Sequence, residues 1–184
     1  MARTQRLCEE RVRLLAALDL LPQTFCHHDA FRRNLMIRSR NSGELETVAI
    51  DWAMVGTGCV GAEVATFVGS TLVFYEIAAE EILEYETLAL TNYVKGLRDA
   101  GWQGSDKIVR FAYAANISLI NALGLAGVML TLFADPEEVR FHERFYGRPF
   151  EELMSQRAIM QRYFLDLGEE ALALMAELPT VGQS

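Results

Sequence analysis

Two short polar motifs flank an apolar segment in the first third of the chain, and together they restrict how that segment can fold. The first motif is Cys-His-His-Asp-Ala-Phe-Arg-Arg-Asn at residues 26–34, and the second is Ile-Asp-Trp at residues 50–52. Between them, residues 35–38 and 47–50 are short runs typical of β-strands, and Asn-Ser-Gly-Glu at residues 41–44 is typical of a turn. We therefore predict a β-hairpin that brings the second motif back to the end of the first.

The residue types in these motifs suit magnesium-dependent phosphoryl transfer. Asp29 and Asn34 would lie on one short loop, and the predicted hairpin brings Asp51 beside them. Such a reaction needs a carboxylate that accepts the proton of the attacking hydroxyl, together with carboxylate and amide oxygens that bind magnesium. An alternative is a metal facial triad of His27, His28 and Asp29, since imidazole and carboxylate also bind iron or zinc. Adjacent residues rarely converge on one ion, however, and this alternative leaves Asn34 without a role.

The order of these motifs resembles that of the aminoglycoside phosphotransferase and choline kinase-like family, whose members are relatives of protein kinases. That family carries His-Gly-Asp, an asparagine five residues after the aspartate, an Ile-Asp metal motif, and then Gly-x-Asp-Leu-Ala. The matching residues here are His27-His28-Asp29, Asn34, Ile50-Asp51 and Gly-Ala-Glu-Val-Ala at residues 61–65. His28 thus replaces the usual glycine, and Glu63 replaces the usual aspartate. We place the resemblance over roughly residues 3–175.

The resemblance implies a role for each matching residue. Asp29 would be the catalytic base, Asn34 and Asp51 would bind Mg²⁺, and ATP would be the phosphoryl donor. His27 would support the catalytic loop, and Glu63 would bond to the loop backbone rather than react. The acceptor would be a small molecule with a hydroxyl group, a class that in this family spans antibiotics, choline, sugars and homoserine.

Two arginines inside the catalytic loop, Arg32 and Arg33, have two interpretations. One of them, and Arg33 is the candidate that we name, could contact the transferred phosphate or support the loop, because a guanidinium matches phosphate geometry. They could equally form a surface pair bonded to nearby helix carboxylates. The sequence leaves both interpretations open.

Outside the hairpin, the periodicity and the helix-end residues predict helices, so the fold class is mostly α with a small β-hairpin. The predicted helices cover residues 7–21, 62–78, 79–99, 105–134, a helix that starts at Asp135-Pro136, and a last helix from the Gly147-Arg148-Pro149 interruption to about residue 178. By resemblance, residues 1–178 would be the C-terminal lobe of a protein kinase-like phosphotransferase. Its parts would be the catalytic loop at 26–34, the metal motif at 50–52 and a helical subdomain at 62–178, followed by a polar tail at 179–184.

The N-terminal lobe of that family has no counterpart that we can identify in the sequence. The chain has two lysines, Lys95 and Lys107, both in helical context. Its Gly-x-Gly-x-x-Gly match, at residues 56–61, follows the metal motif instead of preceding the catalytic loop, so we do not interpret it as a phosphate-cradling loop. We therefore expect a fragment, a mis-started reading frame or a truncated relative that is inactive alone. An isolated lobe would expose apolar surface, so self-association through that face is expected. The alternative function is a non-catalytic, pseudokinase-like binding or scaffold module.

The charge of the chain restricts its partners. The formal net charge of −8 disfavours nucleic-acid binding, which depends on lysine and arginine. An acidic run could attract a cationic substrate, or it could be a solvated helix face. Its members are Glu76, Glu80, Glu81, Glu84 and Glu86. Three cysteines without metal-ligand spacing, and no secretory apolar segment at the start, predict a cytoplasmic location.

One apolar stretch, residues 108–134, is long enough to suggest a transmembrane helix. Arg110, Asn116 and Asn121 lie within it, and polar groups are costly in hydrocarbon. We therefore expect a central buried helix and no membrane association.

Overall fold

The computed structural model describes residues 2–178, and the predicted tail at 179–184 lies outside the described residues. Helices dominate this part of the chain, and four short strands lie near its start. The elements in chain order are α1 (Ala2–Asp19), β1 (Gln23–Cys26), β2 (Leu35–Ser39), β3 (Leu45–Ala49), β4 (Gly56–Cys59), α2 (Ala62–Val73), α3 (Ile82–Asp99), α4 (Asp106–Ile117), α5 (Leu123–Ala134), α6 (Pro136–Tyr146) and α7 (Phe150–Glu177). The mostly helical fold class with a small hairpin is therefore confirmed.

The predicted hairpin is present as β2 and β3. The two strands are antiparallel, and Leu35 pairs with Ala49 at the end nearest the polar motifs. The turn is closed by Arg40, whose amide donates to the carbonyl of Glu44 at 2.8 Å. This register leaves Ile50 directly opposite Asn34. The hairpin therefore places the start of the second polar motif beside the end of the first.

A second pair of antiparallel strands, β1 and β4, was not predicted. Gln23 pairs with Cys59 and Cys26 pairs with Gly56, so the segment after the second motif returns along the strand before the first. Two glycines in four residues weaken a strand prediction. Here the glycines are needed for close packing, because a Cβ on Gly58 would lie 2.8 Å from Cε1 of His28.

The core is built around α4, which packs against α7 and α2. The residues of α4 that are buried include Val109, Phe111 to Ala115 and Ile117. The helix is capped at its start, since the Ser105 hydroxyl accepts the amide of Lys107 at 3.2 Å. The predicted helix start at Asp135-Pro136 is present too, with the Asp135 carboxylate accepting the amide of Glu137 at 2.8 Å.

The long apolar stretch does not form one uniform buried helix. Within the described residues, Asp106–Ala134 is the stretch long and apolar enough to cross a membrane by length and composition. Its first part, α4, is buried as expected, whereas Leu130 and Phe133 on α5 are each 72% exposed. A π-helical turn at Ser118–Ala122 separates the two parts. The expectation of a buried helix therefore holds for α4 and is wrong for the outer face of α5.

Candidate functional site

Asp29 and Asn34 contact each other directly on the loop between β1 and β2. The Asn34 amide nitrogen donates to the Asp29 carbonyl oxygen and to its carboxylate Oδ2, both at 2.9 Å. Asn34 is only 8% exposed, and its own backbone amide donates to the Phe31 carbonyl. Because the nitrogen of the amide is used inside the protein, the Asn34 side-chain oxygen is left as the group that can face a ligand.

Asp51 reaches the same place through the hairpin. The amide of Ile50 donates to the Asn34 carbonyl at 2.9 Å, and Asp51 is the next residue. Asp51 has left-handed backbone angles, φ 58° and ψ 65°, and begins the single helical turn Trp52–Met54. The residue is exposed, and within residues 2–178 its carboxylate has no hydrogen-bond or ion-pair partner. The structure thus brings Asp51 to the loop that holds Asn34 and Asp29.

His27 is buried between the two motifs. Its Nε2 lies 2.8 Å from the Ile50 carbonyl oxygen, and its Nδ1 lies 3.3 Å from the amide nitrogen of Asp29. The carbonyl can only accept and the amide can only donate, so the neutral ring carries its proton on Nε2. The ring also packs against Trp52 at a centroid distance of 4.5 Å. This position fits the loop-supporting role that the resemblance implies.

Glu63, in the first turn of α2, forms a hydrogen bond with the loop. Its Oε1 accepts the backbone amide of His28 at 2.8 Å, which is the backbone bond that the resemblance implies. His28 has a left-handed φ of 61°, a conformation that favours glycine, the family's usual residue at this position. The His28 ring lies over Gly56 and Gly58, and its Nε2 lies 3.2 Å from the Thr57 carbonyl oxygen.

The alternative of a metal triad at His27, His28 and Asp29 is wrong. One ring nitrogen of each histidine bonds to a backbone carbonyl, and the other nitrogen of His27 faces the amide of Asp29. No group of three or more histidine, cysteine or acidic side chains within residues 2–178 is placed to hold a metal ion.

Arg33 lies at the surface and contacts the segment that follows α2. Its Nε is 3.7 Å from Oε1 of Glu76, and its guanidinium lies 5.3 Å from the centroid of Phe74. The side chain is 65% exposed. Of the two interpretations that the sequence leaves open for Arg33, the geometry matches the surface pair, although its carboxylate, Glu76, lies in the loop after α2 and not in a helix.

An apolar cleft of about 390 Å³ opens beside the loop that carries Asp29 and Asn34. Its lining comes from the loop, from α2 and from one face of α3, and it consists of Ala30, Leu35, Glu63, Val64, Phe67, Tyr85, Leu88, Ala89, Asn92 and Tyr93. The hydroxyl of Tyr93 accepts the amide of Gly61 at 2.9 Å, and that of Tyr85 lies 3.3 Å from Thr71. Burial raises the pKa of both tyrosines, so both hydroxyls stay protonated at neutral pH.

Apart from Glu63, the sequence interpretation gave these cleft residues no role in the site. On α3, Tyr85, Ala89 and Tyr93 recur at every fourth position, and this spacing could have indicated an inward face. The acidic run does not line the cleft. Glu76 pairs with Arg33, Glu86 pairs with Arg110, and the remaining members are exposed. Glu63 is therefore the one carboxylate in the lining.

Comparison with known protein families gave one result. The model of a family described as "Phosphotransferase enzyme family" matches residues 2–98. This range is about half of the chain and includes the loop, the hairpin, Asp51 and Glu63, whereas α4 to α7 lie beyond it. Neither the curated proteins nor the solved structures gave a significant match.

Proposed function

This chain belongs to the phosphotransferase enzyme family, and from that membership we propose that it takes part in transfer of the γ-phosphoryl group of ATP to a hydroxyl group of a small molecule. In this proposal the described helices and hairpin correspond to the C-terminal lobe of a protein kinase-like fold. The observation that carries the proposal is that Asp29, Asn34 and Asp51 lie together. The Asn34 side chain bonds to Asp29, and the Asn34 backbone carbonyl accepts the amide of Ile50, the residue before Asp51.

The donor set fits Mg²⁺. The cation prefers oxygen ligands, keeps several waters, and is often held by one or two protein carboxylates or amides together with substrate phosphates. The side-chain oxygen of Asn34 and the exposed carboxylate of Asp51 supply such ligands. When bound there, the ion would neutralise charge on the nucleotide phosphates.

Asp29 is placed to act on the acceptor. Its Oδ2 receives the Asn34 amide, which fixes the carboxylate and leaves Oδ1 to receive a hydrogen bond from the acceptor hydroxyl. His27 and Glu63 fix the backbone that leads into Asp29, through the amides of Asp29 and His28. Such positioning supplies much of the catalysis in phosphoryl transfer, because little covalent chemistry is asked of the protein.

The cleft beside the loop suits the body of the acceptor. Ala30 and Leu35, the residues that follow Asp29 and Asn34, form part of its wall, and the rest is apolar or aromatic apart from Glu63 and Asn92. The cleft offers a polycationic acceptor one carboxylate, that of Glu63, and one oxygen of this carboxylate already accepts the amide of His28. We therefore propose an alcohol with an apolar or aromatic body as the acceptor.

Calorimetric titration of the 184-residue chain with ATP and MgCl₂ tests the proposal. We expect a Mg²⁺-dependent heat that is lost in Asp51→Asn and is unchanged in Asp99→Asn, a matched control whose carboxylate pairs with Lys95 at 3.0 Å on the surface of α3. A folded chain that gives no heat, or an Asp51→Asn variant that binds like the wild type, would contradict it.

One observation favours the second candidate, a non-catalytic binding module. Both lysines make surface ion pairs with helix carboxylates, Lys95 with Asp99 and Lys107 with Glu177 at 3.2 Å, so neither is directed at a nucleotide. The two candidates differ in turnover. With radiolabelled ATP and a panel of apolar and aromatic alcohols, transfer of label that Asp29→Asn abolishes supports the enzyme. Nucleotide binding without transfer supports the module.

A further inference from the structure

A second cleft, of about 250 Å³, lies away from the catalytic loop between α5, α6 and α7. Most of its wall is apolar and comes from Val73, Ile120, Leu125, Val128 and Met160. Its polar lining comes from Tyr75, Asn121, His142, Tyr146 and Arg157, and no carboxylate is among the lining residues.

Arg157 is a buried cation that the described part of the chain does not neutralise. The residue is 2% exposed, and no ion pair joins it to an acidic residue within residues 2–178. Its Nη2 donates to Nδ1 of His142 at 2.7 Å, while its Nη1 is buried and has no hydrogen-bond partner among the described residues. An unpaired buried charge is costly, and such groups are normally paired. The free Nη1 therefore indicates an anionic partner from outside.

The backbone around this cleft is irregular at two positions. The π-helical turn Ser118–Ala122 places Ile120 and Asn121 in the lining, and such turns are frequent at functional sites. The second irregularity is at another lining residue, Tyr75, whose left-handed φ of 56° is rare for a bulky residue. The Arg148 guanidinium lies 5.7 Å from the centroid of the Tyr75 ring, but its charge is compensated by Glu152 at 2.6 Å, so Arg157 is the uncompensated cation of the cleft among the described residues.

We propose that this cleft is a binding site for a small organic carboxylate with an apolar body. The carboxylate would accept hydrogen bonds from Arg157, whose planar guanidinium matches its geometry, and Tyr75 lines the same cleft. The apolar body would lie against Leu125, Val128 and Met160. This wall disfavours a strongly hydrated inorganic anion, because such an ion gains nothing from apolar contacts.

Titration calorimetry with hexanoate tests the proposal, with 1-hexanol and inorganic phosphate as probes that lack the charge or the apolar body. We expect hexanoate to bind and to bind at least about tenfold more tightly than either control, since a hydrogen bond to a charged group contributes about that factor. Similar affinities for all three probes, or no binding of hexanoate to the folded chain, would overturn the proposal.

Three variants locate the site. Arg157→Met removes the unpaired charge and should fold, and it should lose hexanoate binding by at least about tenfold. Gly124→Leu adds a side chain to the cleft wall, where a Cβ meets no atom within 4 Å, and should block binding without touching Arg157. Gly127→Leu is the matched control, because it lies on the same helix, is exposed and does not line the cleft. Hexanoate affinity that is unchanged in Arg157→Met and Gly124→Leu, or lost equally in Gly127→Leu, would refute the site. Thermal melting of each variant verifies folding.

Discussion

Replacement of Glu63 by alanine should destabilise both the loop that carries Asp29 and the fold as a whole. The carboxylate of Glu63 accepts the amide of His28 at 2.8 Å, and it does so from the first turn of α2. His28 is held in a left-handed conformation, with φ 61°, that histidine rarely adopts without support. The variant removes this support and leaves the partly buried amide of His28 without its acceptor.

The expected loss follows from two contributions. A hydrogen bond to a charged group is worth about 1.5–3 kcal/mol. A carboxylate in the first turn of a helix adds about 0.3–1 kcal/mol through the helix dipole. Glu63→Ala should therefore lower the free energy of unfolding by about 2–4 kcal/mol. Glu63→Gln keeps an acceptor oxygen but loses the charge, so its loss should be about half as large, because charge-assisted hydrogen bonds are roughly twice as strong as neutral ones.

Urea unfolding followed by far-ultraviolet circular dichroism measures the global effect, and hydrogen exchange of the His28 amide measures the local one. Glu84→Ala is the matched control, since Glu84 lies in the first turn of α3, is exposed and makes no hydrogen bond or ion pair within residues 2–178. It should cost no more than the dipole contribution of about 1 kcal/mol. The reasoning is refuted if Glu63→Ala loses no more stability than Glu84→Ala, or if the His28 amide exchanges as slowly as in the wild type.

Three further predictions concern the core, pH and the thiols. Arg110→Met leaves the buried carboxylate of Glu86 without its cation and should lower the free energy of unfolding in urea by about 3–5 kcal/mol. Glu86→Gln in the same chain should restore part of this loss, and a double variant no more stable than Arg110→Met would contradict the prediction. Burial and the charge of Arg157 lower the pKa of His142, so the unfolded chain takes up the proton first and stability should fall as the pH drops below about 6.5. His142→Gln should remove that loss between pH 7 and 5.5, and an unaltered pH profile would speak against it. Burial raises the pKa of the thiols of Cys26, to about 11, and of Cys59. A thiol reagent at pH 8 should therefore label the exposed Cys8 first. Equal labelling of all three cysteines would contradict this prediction.

The sequence predicted elements whose causes are local. The hairpin followed from two β-forming runs and an Asn-Ser-Gly-Glu turn, and the start of α6 followed from Asp135 and Pro136, because turn and cap chemistry acts within a few residues. The sheet of β1 and β4 was missed because its cause is long-range: the ring of His28 occupies the space over β4.

In the candidate site, too, the features with local causes were predictable and those with long-range causes were not. The loop and the two metal-ligand candidates, Asn34 and Asp51, were predictable from motif order, and their closeness followed from the hairpin. The walls of the cleft were not predictable, because the spacing of Tyr85, Ala89 and Tyr93 indicates an inward face without indicating what that face meets. The buried charge of Arg157 is likewise invisible in a sequence, where arginine is ordinarily an exposed residue.

The unusual histidine of the loop and the glycines of β4 should depend on each other energetically. A Cβ on Gly58 would lie 2.8 Å from Cε1 of His28, and overpacking of this kind costs about 1–3 kcal/mol. His28→Gly removes the ring and also releases the left-handed backbone from strain, so Gly58→Ala should cost less in a His28→Gly background, with a coupling energy of about 1 kcal/mol.

Urea unfolding of the four chains in this double-mutant cycle measures the coupling. The control cycle uses Gly96→Ala, at a helical position where a Cβ meets no atom within 4 Å. That substitution should stabilise the chain by about 1 kcal/mol through helix propensity, and by the same amount with either residue at position 28. If the changes in unfolding free energy for Gly58→Ala and His28→Gly are additive, the His28 ring does not obstruct a Cβ at position 58. The glycine content of β4 would then need another cause.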